Sequence, residues 1–166
     1  EGIFLDWAYL YELQQKLDEK IIESTTKNTD DMLEDKILAL IVEVSELANE
    51  TRCFKYWSKK GPNAQEQILE EYVDGIHFLL SLGLDFNYRY DLKKDKLNTV
   101  PSLTKGFHDV YEHIYLFKHD PTEENYFKLM NTYLSLSIAL NFTELDIFNA
   151  YLDKNKVNHM RQHSGY

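Results

Sequence analysis

Two pairs of carboxylates in this chain are spaced to do chemistry together: Glu43 with Glu46, and, after a short connection, Glu71 with Asp74. Side chains three positions apart share one face of a helix, so each pair would aim its oxygens in a single direction. If a short turn makes the two helices antiparallel neighbours, the pairs converge. Converging carboxylates repel unless a cation sits between them, and Mg²⁺ is a hard ion that takes oxygen ligands together with water and substrate phosphate. The competing reading is a solvated acidic face. At about 100° per residue, Glu43 and Glu46 fall opposite the apolar stripe of their own segment, in line with Glu50. Glu71 resists that reading, because it aligns at i+7 with Phe78 on a segment that is apolar on most sides, where a carboxylate needs a partner. Asp74 shares a polar strip with Glu70, His77 and Ser81 and says little alone. Spacing leaves both readings open.

The cations are as localised as the acids. Between the two acid pairs the chain carries Arg52, Lys55, Lys59 and Lys60 with no acid among them, in a protein whose formal net charge is -10. Such a local inversion suits an anion, or a solvated basic turn. Phe54, Tyr56 and Trp57 are interleaved there, as a base-stacking platform or as packing for a helix end. Near the C-terminus, Lys154, Asn158 and Arg161 recur at i, i+4 and i+7, on one side of a helix, where they could grip successive phosphates. Cations at a helix C-terminus also favour its dipole.

Placing these groups requires long helices, and the composition supplies them. With 6 Gly and 3 Pro and no run of strict polar/apolar alternation, the pattern predicts an all-α, multi-helix bundle of about six helices. Helices are expected over about 3–22, 32–56, 64–84, 102–118, 121–141 and 144–161. The fourth starts from a Ser102 cap, the fifth from an Asp120-Pro121 start with Glu123 behind it, and the sixth from a Thr143/Asp146 capping box. The stretch 85–100 is polar and receives no element. A length of 166 residues, 43% of them hydrophobic, fits one domain over 1–166 with a real core.

Bulk properties also exclude partners. The negative charge repels nucleic acid and anionic membranes. No stretch approaches the roughly 18 apolar residues of a membrane span. The lone Cys53 calls for no oxidising compartment. A soluble, cytoplasmic protein is expected. Any nucleotide site must therefore be built from bound cations and clustered Lys and Arg.

Taken together, Glu43-Val44-Ser45-Glu46-Leu47-Ala48-Asn49-Glu50, then Phe54-Lys55-Tyr56-Trp57, then Glu71-Tyr72-Val73-Asp74-Gly75-Ile76-His77-Phe78, resemble the dimeric dUTPase family, a branch of the all-α nucleoside triphosphate pyrophosphatases with the MazG-like enzymes. The likeness covers 13–85 and 150–166; 86–149 matches only as generic helix. The resemblance implies that Glu43, Glu46, Glu71 and Asp74 ligate Mg²⁺, two or more ions engaging the phosphate chain, with Glu43 or Glu46 orienting or deprotonating the attacking water. It implies dUTP, and dUDP with it, as substrate, with dUMP and pyrophosphate as the products from dUTP. Gln14 falls where relatives contact uracil, Asp18 stands where a nearby Asn aligns, Trp57 would line or cover the base and His77 would lie beneath it. The terminal run Tyr151-x-x-Lys154-Asn155-x-x-Asn158-x-x-Arg161 resembles the family's last motif, whose cations close over the phosphates, with Lys55 and Lys59 on the other side. A homodimer is implied as well.

Two other functions fit the same residues. One keeps the chemistry and changes the substrate to another or a damaged nucleotide. The other is a helical interaction module whose acids are merely solvated and whose 12 Tyr bind a protein.

Overall fold

The computed structural model describes residues 5–25, 32–91 and 97–165. Among them are six helices and no strand: α1 (Trp7–Glu23), α2 (Met32–Thr51), α3 (Gln65–Phe86), α4 (Leu103–His119), α5 (Glu123–Ala139) and α6 (Glu144–His163). The expected all-α bundle is what the chain forms. Ile3 and Phe4, assigned to the first helix from the sequence, lie outside the described residues.

α3 is the axis, packed against α1, α2, α5 and α6. Its buried positions, from Ile68 through Tyr72, Val73 and Ile76 to Leu79, Leu80 and Leu82, leave little of its circumference wet. α5 approaches it closely enough to need glycine. Tyr133 donates its hydroxyl to the Tyr72 carbonyl (2.6 Å), while Tyr72 returns a bond to the Tyr133 carbonyl (3.0 Å) and their rings stack at 4.5 Å. A Cβ on Gly75 would stand 2.2 Å from the Tyr133 oxygen. Crowding of that kind in a packed core costs about 1–3 kcal/mol, so the glycine next to Asp74 is fixed by packing.

The caps follow the expected chemistry at two of three places. Ser102 accepts from Lys105 N, and Thr143 with Asp146 completes a reciprocal capping box. The fifth helix starts later than the sequence suggested. Thr122, not Asp120, caps it and accepts from Asn125 N. Pro121 disfavours helical geometry at the residue before it, and Asp120 sits at φ -140°, closing α4 instead.

The second helix was also expected to run to Tyr56, and it stops at Thr51. Arg52 turns into the left-handed region (φ 57°), and the Thr51 hydroxyl accepts from Cys53 N. The basic loop that follows folds back on α2 through Asn63 N to the Glu50 carbonyl (3.0 Å) and Arg52 Nη2 to Ser58 Oγ (2.9 Å). This compact return makes α2 and α3 neighbours. The stretch after α3 is not simply polar linker either: Asn87 caps the helix at φ 59°, and Tyr90 is buried beside Trp7.

Candidate active site

Where α2 and α3 run side by side, Glu43, Glu46 and Glu71 each bring one carboxylate oxygen to within 4.8 Å of the other two. The helices converge because Leu40, Val44 and Leu47 on one and Tyr72, Ile76 and Leu79 on the other bury their apolar stripes in a common core. Glu43 is half-buried, on the flank of its stripe rather than opposite it, while Glu46 is exposed. The three acids crowd one another. Burial first, then the Asp74 charge, pushes Glu43 up to about 8; burial, then Asp74 and Glu46, pushes Glu71 up to about 7. Oε2 of Glu43 and Oε2 of Glu71 are both buried without a hydrogen-bond partner.

Carboxylates held together this way, two of them with an orphaned oxygen, are a donor set for a hard divalent cation, which would restore the charged form that burial and repulsion disfavour.

Asp74, the fourth acid of the pattern, is engaged differently. Its Oδ1 lies 3.3 Å from Lys154 Nζ, and the same ammonium is 2.8 Å from Glu70 Oε1. Burial raises the Asp74 carboxyl, and Lys154 opposes that rise. Asp74 still touches the triad electrostatically, since its charge is the largest neighbouring influence on both Glu43 and Glu71.

Beside these acids opens a cleft of about 510 Å³ bounded by α1, α2, α3 and α6, within the size range of small-molecule sites. Glu43 and Asp74 are part of its lining. Gln14, Asp18 and His77 contribute polar groups, and Asn158 and Arg161 reach it from α6. Leu17, Ile21 and Phe78 provide apolar wall. The arrangement would suit a ligand with a flat polar body and an anionic tail: the body among the α1 and α3 groups, the tail toward the carboxylates and the α6 cations.

The polar groups of the floor are tightly bonded. Gln14 Oε1 accepts from His77 Nδ1 (2.6 Å) and from the Tyr151 hydroxyl (2.8 Å), while its Nε2 donates to Asp18 Oδ1 (2.9 Å). His77 stacks on Tyr151 with ring centroids 4.2 Å apart. Burial, then the charges of Lys154 and His159, lowers the His77 pKa to about 3, so the imidazole is neutral. Gln14 was expected to offer both a donor and an acceptor to a base, but its carbonyl already takes two bonds, which fills both lone pairs.

The basic-aromatic loop stands apart. Trp57 is 65% exposed, edge-on to Tyr56 and Phe54, and the Lys55 ammonium lies 5.8 Å from the centre of the Phe54 ring. Neither Trp57 nor Lys55 nor Lys59 lines the cleft. Sequence reasoning overlooked Lys36, which lines the cleft and pairs with Asp85 across 2.7 Å. The signal was present: Lys36 precedes Glu43 by two helical turns and so shares its face.

Comparison with known proteins adds one finding. A family model described as dUTPase matches residues 6–166. No curated protein matches the chain significantly.

Proposed function

Because the chain belongs to the dUTPase family and is therefore a dUTP diphosphatase, a hydrolase of phosphoric anhydrides, we propose that Glu43, Glu46, Glu71 and Asp74 hold two or more Mg²⁺ ions and that the cleft beside them holds the nucleotide. The observation that carries this reading is the convergence of three carboxylates from two helices within 4.8 Å. When bound, Mg²⁺ would neutralise charge on the phosphate chain and make a water more acidic. Everything else falls to the protein. Glu43 or Glu46 orients the attacking water and takes its proton, as an ionised carboxylate within hydrogen-bond reach of that water can. Attack yields dUMP and pyrophosphate from dUTP, and dUMP and phosphate from dUDP.

In the same reading Gln14, Asp18 and His77 receive the base, and Trp57 covers it once the loop after α2 moves inward. Lys154, Asn158 and Arg161 hold the phosphates from α6, with Lys55 and Lys59 joining from that loop. The residues 1–166 act as one domain, in a homodimer. Exposed Leu38 and Val42, one turn apart on α2, and Tyr115 and Leu116 on the neighbouring α4 support an interface there. Among the described residues no helix is long and apolar enough to cross a membrane. A cytoplasmic setting agrees with the lone cysteine, and the net charge of -10 opposes nucleic acid as a partner.

Incubation of dUTP, dCTP, dTTP and UTP with the protein, with Mg²⁺ or with chelator, tests the reading. Pyrophosphate and dUMP from dUTP alone, only with Mg²⁺, are expected. Release of phosphate and dUDP, or turnover unaffected by chelator, would overturn it.

A further inference from the structure

Lys154 joins two carboxylates with different surroundings. Its ammonium lies 2.8 Å from Glu70 Oε1 and 3.3 Å from Asp74 Oδ1. Glu70 and Asp74 stand four positions apart on α3 and so share a face. Asp74 lines the cleft, whereas Glu70, whose side chain is 60% exposed, lines a second groove of about 430 Å³ between α3 and α6. Glu70 also directly precedes Glu71 and leaves the helix about 100° away from it. Its oxygens are not among those that Glu43, Glu46 and Glu71 bring together. Glu70 is therefore a carboxylate beside the acid cluster but outside it. Burial opposes the Lys154 charge, yet the hydrogen bond to Glu70 and the Asp74 charge together hold its pKa above the ordinary value. An ammonium has three donors and accepts nothing. Bonded to both carboxylates, Lys154 keeps one N–H for a further partner; with Asp74 given up, it has two.

We propose that Glu70 is the positioning residue for Lys154: it keeps the ammonium anchored at the edge of the cleft when Asp74 passes to a metal ion, so that Lys154 turns to the phosphates and not to solvent. A cation arriving at Asp74 repels the ammonium, and Lys154 must break its 3.3 Å contact there. Without Glu70 two poor choices would remain. Lys154 would be a nearly buried ammonium with no anion, which desolvation disfavours, or it would stay on Asp74 and compete with the metal. With Glu70 it retains one charge-assisted bond and aims the freed donors at the phosphate chain. By its charge alone Glu70 would repel those phosphates. Its removal should therefore weaken nucleotide binding through Lys154 even though it also removes a repulsion. The proposal rests on the reading that Asp74 holds metal and Lys154 holds phosphate.

The test is titration calorimetry with Mg²⁺ alone, alongside steady-state kinetics with dUTP at saturating Mg²⁺, on the full-length wild type, Glu70→Gln, Lys154→Ala and the double variant. Glutamine keeps the side-chain shape at this mostly exposed position. Glu70→Gln should raise the Kd for Mg²⁺ about threefold, the scale of one partly exposed ion pair, since Lys154 then leans on Asp74 alone. It should also lower kcat/KM for dUTP about tenfold, the scale of a charge-assisted hydrogen bond, and should lower it no further in the Lys154→Ala background. A kcat/KM that rises in Glu70→Gln would make Glu70 only a repelling charge. A kcat/KM that falls while Mg²⁺ binding stays unchanged would make it only a brace between α3 and α6. Either result overturns the proposal, as does an equal loss in the Lys154→Ala background or a Glu70→Gln protein that matches wild type in both measurements. The underlying reading fails separately: if Lys154→Ala leaves Mg²⁺ binding and kcat/KM at wild-type values, Lys154 serves neither metal exchange nor phosphate, whatever Glu70 does.

Discussion

Lys154, near the end of the chain, donates to Asp74 across 3.3 Å and so occupies the one acid of the four-carboxylate pattern that does not join the close triad. The side chain of Lys154 is 10% exposed, and it is bonded to Glu70 at the same time. A cation from α6 therefore stands where a metal ion and a phosphate would compete for attention.

Opposite signs follow for metal and substrate. Lys154→Ala should tighten binding of Mg²⁺ in the absence of nucleotide, because Asp74 loses a competing cation. It should also lower kcat/KM for dUTP by about tenfold to a hundredfold, the range for a lost charge-assisted hydrogen bond. Titration calorimetry with Mg²⁺ alone and steady-state kinetics read the two effects. Weaker metal binding together with unchanged kinetics would show that Lys154 only braces α6 against α3.

The crowded acids should also govern how stability varies with pH. Glu43 and Glu71 rise from the ordinary 4.5 to about 8 and about 7 in the folded chain. Between those limits the folded protein without metal holds more protons than the unfolded one, so its stability falls as pH rises. Tm of chelator-treated protein should therefore decrease from about pH 6 to about pH 8.5. Saturating Mg²⁺ should raise Tm by an increment that grows with pH, because the ligands must lose their protons to bind it. Glu43→Gln should flatten the metal-free slope and shrink the increment. A metal-free Tm that climbs across this window would contradict the assignment.

How much of this was legible beforehand differs by element. α2 and α3 were readable because their apolar residues recur at 3.6-residue spacing, and the i, i+3 acids on them could be placed on a face without coordinates. What spacing could not supply was the angle between the two helices, which brings Glu71 to Glu43 and Glu46 and leaves Asp74 facing Lys154. The end of α2 was misplaced because Arg52 adopts a left-handed backbone, which no periodicity signals. Likewise Thr122 outcompeted Asp120 as a cap through the constraint Pro121 imposes on its predecessor. The floor of the cleft was half visible: Gln14, Asp18 and His77 were singled out as residues, but the direction of their hydrogen bonds depends on Tyr151, 137 positions away from Gln14 in sequence.

The aromatic loop carries its own prediction. The protein has two tryptophans, Trp7 at 4% exposure and Trp57 at 65%. If Trp57 closes over the base, dUMP with Mg²⁺ should shift tryptophan emission to the blue, and Trp57→Phe should abolish that shift. Wild-type emission that stays unchanged at saturating nucleotide would leave Trp57 outside the site.

The most direct test of a shared cation site is the anomalous signal of Mn²⁺, as a stand-in for Mg²⁺, in crystals of the wild type. A peak within coordinating distance of Glu43, Glu46 and Glu71 together is predicted, and it should vanish in Glu71→Gln along with turnover of dUTP. Saturating Mn²⁺ that binds elsewhere, or a Glu71→Gln protein that hydrolyses dUTP at the full rate, would contradict it.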